Sequence, residues 1–209
     1  MRTRIFLPVV LLFVTGFGLM ISCGERRGGG KASEIIFDSI VVKHRIPLLQ
    51  ANDTTLPSAE VELSFIYPVR FRNAVSLARL QQIFKGTFFG DTRYDSITPE
   101  EAVTLFMTDY TTRYESLSNS YYEDKARLAG EMPVWYWYSI SNKNKILFQD
   151  HSLLSYAVEY SDYEGGAHGS YRILYSCIDL NKLNTISEED LFVADYYKPL
   201  TKKIIEQLM

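Results

Sequence analysis

The stretch Val61-Glu62-Leu63-Ser64-Phe65-Ile66-Tyr67-Pro68 sets Val61, Leu63, Phe65 and Tyr67 on one parity and Glu62 and Ser64 on the other. Side chains of an extended backbone alternate between faces, so a period of two reads as a half-buried strand, closed here by Pro68. Upstream, Ile35 to Val42 is rich in β-branched residues and reads as a second strand that Pro47 stops. The polar run between them, residues 50–58 (QANDTTLPS), is a loop, and the two strands are expected to pair as a hairpin.

Downstream the period changes. Leu77, Leu80, Ile83 and Phe84 recur at helical spacing between Ala74 and Lys85, with Gly86 expected as the C-terminal cap. Thr98-Pro99-Glu100-Glu101 places a capping hydroxyl, a proline at the first helical position and a glutamate at the third, which starts a second helix. Its apolar face is Val103, Phe106, Met107, Tyr110 and Tyr114, and it is expected to run toward Leu128 and stop before Gly130.

Beyond Gly130 the pattern is β-rich. Val134 to Ile140, Leu153 to Tyr160 and Tyr171 to Leu180 read as three consecutive antiparallel strands. In the first, alternation would put Trp135 and Trp137 on one face and Tyr136 and Tyr138 on the other. Ser187-Glu188-Glu189-Asp190 reads as a helix start or turn, and Leu200, Ile204 and Leu208 mark a last amphipathic helix from about Pro199 that reaches Met209 without a capping residue. The order predicts an α+β fold, an antiparallel sheet with helices packed on one face. It divides into an N-terminal αβ part, residues 35–130, and an antiparallel-strand part, residues 131–209.

The N-terminus carries a different signal. Arg2 and Arg4 precede an uncharged run from Ile5 to Ile21 that is short of the ~20 apolar residues a spanning helix needs and is broken by Pro8, Gly16 and Gly18. Leu19-Met20-Ile21-Ser22-Cys23 resembles the bacterial lipobox. The resemblance implies that residues 1–22 are removed, that Cys23 becomes a lipidated N-terminus, and that residues 23–34, Gly-rich and charged, tether the domain to a membrane. The expected location is the cell envelope, facing the periplasm or on the outer membrane.

Removing residues 1–22 takes away two arginines and no acid, so the formal charge moves from −3 to −5. Nucleic-acid binding needs clustered Lys and Arg, and the densest group after the tether is Lys198, Lys202 and Lys203, so that class is set aside. With Cys23 acylated, Cys177 is the remaining thiol; it shares strand parity with Ile173 and Tyr175 and is read as a small buried apolar group. The three histidines, His44, His151 and His168, form no His-x-x-x-His pair and there is no Cys-x-x-Cys, so no metal and no cofactor is expected.

Between the last two long strands stands Asp162-Tyr163-Glu164-Gly165-Gly166-Ala167-His168-Gly169, three glycines that permit a tight turn. Tyr163-Glu164-Gly165-Gly166-Ala167-His168 after a strand, then a strand ending Ile178-Asp179-Leu180 and an acidic turn before Leu191-Phe192, resembles a paired domain of unknown function in bacterial envelope proteins. Its members include the extracellular part of a lysozyme-sensing anti-sigma factor and the non-catalytic N-terminal part of a peptidoglycan deacetylase. The family continues past the last helix with further strands, so the resemblance implies that residues 131–209 are an incomplete part. It also implies a non-catalytic module that binds or senses a glycan or a protein such as lysozyme.

Candidate binding residues are Tyr163, Gly165, Gly166 and His168 of the turn, with Trp135 and Trp137 as an aromatic platform. No catalytic residue is assigned. His168 is read first as a ring that caps its own turn. The enzymatic alternative is a glycan hydrolase that uses His168 with Glu159, Asp162 or Glu164. Replacing Cys23 by serine is expected to abolish palmitate labelling and release the chain from the membrane fraction, which metabolic labelling followed by fractionation checks.

Overall fold

A computed structural model describes residues 34–49 and 53–208. The expected signal peptide, the lipidation site Cys23 and nearly all of the tether lie outside these described residues.

The hairpin forms as read: β1 (Ile36–Pro47) pairs antiparallel with β2 (Ser58–Arg70). Ala59, Val61, Leu63, Phe65 and Tyr67 all lie buried on one face of β2. Pro68 does not end the strand; the ladder continues past it with a register shift at Ile36/Phe37, a bulge that accommodates a residue without an N–H.

Three helices then cross the covered face: α1 (Ala74–Phe89), α2 (Pro99–Glu115) and α3 (Ser118–Arg127). Asn73 caps α1 by accepting from the Ser76 amide, and the C-terminal cap is Gly90 at φ 71, not Gly86. Gly86 sits inside the helix because Phe88, two residues on, packs into the core, and that burial holds the last turn helical. The Thr98 cap forms in full, its hydroxyl accepting from Glu101 N–H while the Glu101 carboxylate accepts from Thr98 N–H. The long helix expected beyond it breaks at Ser116 and Leu117 into α2 and α3, and ends where Ala129 and Gly130 take positive φ.

This crossover returns the chain to the end of the sheet at which β2 began, so β3 (Tyr138–Gln149) pairs parallel to β2, the one parallel pair among the described strands. β4 (Leu153–Glu164), β5 (Ser170–Asp179) and the short β6 (Asn184–Thr185) follow in sequence order. Residues 35–130 and 131–209 thus contribute neighbouring strands to one six-stranded sheet. Two short helical pieces close the described chain, α4 (Glu188–Leu191) and α5 (Tyr197–Leu208). Pro199 stands at the third position of α5, and no residue of that helix is buried.

Two strand assignments need correction. Val134–Tyr136 is a 3₁₀ turn, and the strand begins at Tyr138 and runs on through the polar residues Ser141 to Lys145. Trp135 and Trp137 therefore share no strand face. Cys177 is partly exposed, because the buried parity of β5 is Ser176 and Ile178; its thiol lies 3.0 Å from Ser155 Oγ.

The core is aromatic. Phe65 packs against Phe88 at 4.5 Å between ring centroids, and Phe84 stacks on Tyr156 at 4.4 Å. Backbone pairing of β2 with β3 stops at Ser64–Lys143, and side chains take over from there. The Ile66 amide donates to Asn144 Oδ1 at 2.6 Å and Asn144 Nδ2 donates back to the Ile66 carbonyl at 2.7 Å. Asn142 Nδ2 donates to the Phe88 carbonyl at 2.8 Å. Replacing Asn144 by leucine would leave both Ile66 groups without a partner and is expected to lower stability by about 1–3 kcal/mol. Urea denaturation of the variant beside the parent chain measures it.

Candidate functional site

The β4–β5 turn, Gly165 to Gly169, folds against the 3₁₀ turn at the start of β3, since Tyr138 pairs with Glu164. Gly165 has φ 79, and a side chain there would overlap the Trp135 carbonyl oxygen. Gly169 lies under the Asp162 carbonyl, 2.5 Å from where a Cβ would stand. Gly166 has no such constraint, its nearest neighbour being the His168 carbonyl at 3.6 Å. The turn and Trp135 thus meet, although by backbone contact and not on a shared strand face.

Asp124 of α3 holds the aromatic turn. Its carboxylate accepts from Trp135 Nε1 at 3.2 Å and from the Tyr136 hydroxyl at 2.9 Å, and pairs with Arg127. Burial, then the Asp124 carboxylate, pushes the Tyr136 phenol up to about 12. The same Tyr136 bond, with those from Trp135 and Arg127, holds Asp124 below the usual carboxylate range. Tyr114 adds a buried bond from its hydroxyl to the Tyr136 carbonyl at 2.8 Å. Trp135 is partly exposed and Trp137 half-buried.

The titratable groups near the turn do not converge. His168 is exposed and its Nδ1 donates to the Gly169 carbonyl at 3.2 Å, a bond within its own turn. Glu159 pairs with Lys145, Asp162 accepts from the Ser170 hydroxyl, and Glu164 pairs with Arg113 at 2.8 Å. None of these carboxylates bonds His168. His44 lies on β1, His151 in the β3–β4 turn and His168 in the β4–β5 turn, and among the described residues no three His, Cys, Asp or Glu side chains gather as a metal would require.

A further group of polar residues escaped the sequence reading. On the solvent face of the sheet, Lys43 and Lys143 both pair with Glu62, at 2.9 and 2.6 Å, and hold its carboxyl down to about 2, Lys143 more strongly than Lys43. A groove of about 530 Å³ opens beside them, bordered by Arg45, Glu60, Ser139, Ser141 and Ser161. The charge alternation of β1 and β2 was visible in sequence. The contribution of β3 was not, because residues 141–145 carry a polar pattern that does not announce a strand.

Replacing Gly165 by alanine is expected to cost about 1–2 kcal/mol, from the left-handed backbone and the collision with Trp135, while the Gly166→Ala change stays within about 0.5 kcal/mol. Thermal melts of the two variants side by side check the contrast.

The chain resembles the crystal structure of a DUF3298-family protein from Bacteroides fragilis at 29% identity and a TM-score of 0.78, over 85% of this chain and 69% of that one. A DUF3298-family protein from Pseudomonas aeruginosa aligns at 16% identity and a TM-score of 0.47, over 84% and 65% of the two chains. No curated protein matches the sequence. The model of the family described as deacetylase PdaC matches residues 57–171, from β2 through the Gly-Gly-Ala-His turn to the start of β5, and the chain belongs to that family.

Proposed function

We propose that this chain is a non-catalytic recognition module of the bacterial cell envelope, anchored through lipid on Cys23, which binds envelope glycan or a lysozyme-like protein that acts on it. The observation that carries the reading is the state of the acids and bases at the turn. His168, Glu159, Asp162 and Glu164 each bond a structural partner and not one another, while Trp135 and Tyr171 at the same end of the sheet leave ring surface exposed. Exposed Tyr and Trp, with an apolar ring and a polar tip, suit contacts to sugars and proteins.

The family description names a deacetylase. Metal-dependent deacetylation would need a convergent donor set, and the scattered positions of His44, His151 and His168 do not fit one. Glycan hydrolysis with His168 and a nearby carboxylate has less support, because a general acid must be free to reach the glycosidic oxygen.

The test is retention of the full-length chain, extracted in mild detergent, on purified peptidoglycan and on immobilised lysozyme, with released sugar and acetate assayed in the same tubes. Retention without product is expected. Product formation that disappears in the His168→Ala or Glu159→Gln variant would make the protein an enzyme and overturn the reading.

A further inference from the structure

We propose that the charged groove on the solvent face of the sheet, lined by Lys43 and Glu62 with Lys143 beside it on the other oxygen of Glu62, is a binding site for a carboxylate-bearing glycan. The inference rests on the recognition reading above and gives that reading a place and a ligand class.

Strand register assembles the site. Across the sheet, Lys43 faces Glu62, Glu62 faces Ser141, Ser141 faces Ser161 and Ser161 faces Tyr171. Two residue pairs along, Arg45, Glu60 and Ser139 repeat the order cation, acid and hydroxyl, with Tyr163 on β4 where the first row has Ser161. Cationic and anionic groups therefore stand on the β1–β2 side, serine hydroxyls on β3 and β4, and tyrosines on β4 and β5. The groove between them, about 530 Å³, falls in the ~300–1,000 Å³ range of small-ligand sites.

Charge selects the ligand. Lys43 and Lys143 share one carboxylate, so the centre carries a net positive charge on a molecule whose formal charge is −3. An ammonium has three N–H donors. Each lysine commits itself to Glu62 alone among the described residues, which leaves donors for an incoming anion. Arg45 is already held by Ser58, Glu60 and the loop carbonyls of Thr54 and Leu56, and it serves as a wall. Serine hydroxyls both donate and accept, as sugar hydroxyls do. Tyr171, two-thirds exposed, offers a ring to the apolar face of a pyranose. A neutral glycan would use the hydroxyls and rings only; a glycan with ring carboxylates would use the lysines as well.

The experiment measures binding of the full-length chain in detergent to oligogalacturonate, which carries a carboxylate on every ring, and to the neutral chitohexaose, by calorimetry. Oligogalacturonate is expected to bind more tightly, and to weaken as salt is raised. The Lys43→Ala/Lys143→Ala double variant should lose about tenfold or more, the equivalent of one charge-assisted hydrogen bond. Ser141→Trp, which fills the groove from a half-buried position on its lining, should lose binding while the chain still melts in a single cooperative transition. Equal affinity for the two glycans, or unchanged affinity in both variants, would overturn the site. If those variants are still retained on peptidoglycan like the parent, the recognition reading stands and this location for it fails. A parent chain that binds neither glycan and is not retained on peptidoglycan sinks both.

Discussion

The parallel junction between β2 and β3 is the constraint on which the rest of the fold depends. It is the only strand pairing that joins the two halves of the described chain, and its backbone ladder spans six residue pairs. Asn144 prolongs it by giving Ile66 the acceptor and donor that a further strand residue would have supplied. Asn142, two residues earlier on the same buried face, ties the ladder to the end of α1. Asn144 is paired at both ends of its amide, whereas Asn142 is held through Nδ2 alone and its buried Oδ1 meets no partner among the described residues. They also make the register specific, since a slip of one residue would turn both asparagines to the solvent face.

From that junction the covered face follows. A parallel return needs a crossover, and the three helices that supply it bring Phe84, Phe88, Tyr110, Tyr114 and Tyr121 over the sheet. Rings fill this space better than aliphatic chains because several carry a hydroxyl to a partner at the rim: Tyr67 to Glu100 at 2.7 Å, Tyr156 to Thr87 at 2.7 Å and Tyr136 to Asp124. Lys85 is buried with them and donates to the carbonyls of Asp95 and Ile97, clamping the loop that leads into α2. Burial lowers its pKa, and the backbone oxygens are what make a cation tolerable there.

The opposite face carries the polar chemistry. With one side of the sheet packed under helices, the other parity of every strand is free to hold Lys43, Glu62, Lys143, Lys145 and Glu159 as paired charges. Such surface pairs add little to stability. Their arrangement across four strands instead sets the electrostatic character of the groove. The Gly-Gly-Ala-His turn stands at the end of this same face, locked to Trp135 by the close approach that Gly165 permits.

Local chemistry was legible wherever one element could be judged alone. The alternation from Val61 to Tyr67, the Thr98–Glu101 capping box, the turn glycines and the α+β order are properties of neighbouring residues, and the sequence by itself determined them. Val134 to Tyr136 misled because its aromatic density suits a strand, whereas Asp124, remote in sequence, binds Trp135 and Tyr136 and holds them in a 3₁₀ turn. Ser141 to Lys145 was unread for the converse reason, a polar pattern whose asparagines are buried only once β2 and α1 supply partners. Tertiary structure alone decided that β3 returns parallel beside β2 and that Lys43, Glu62 and Lys143 converge, because each depends on long-range register, which no local period encodes.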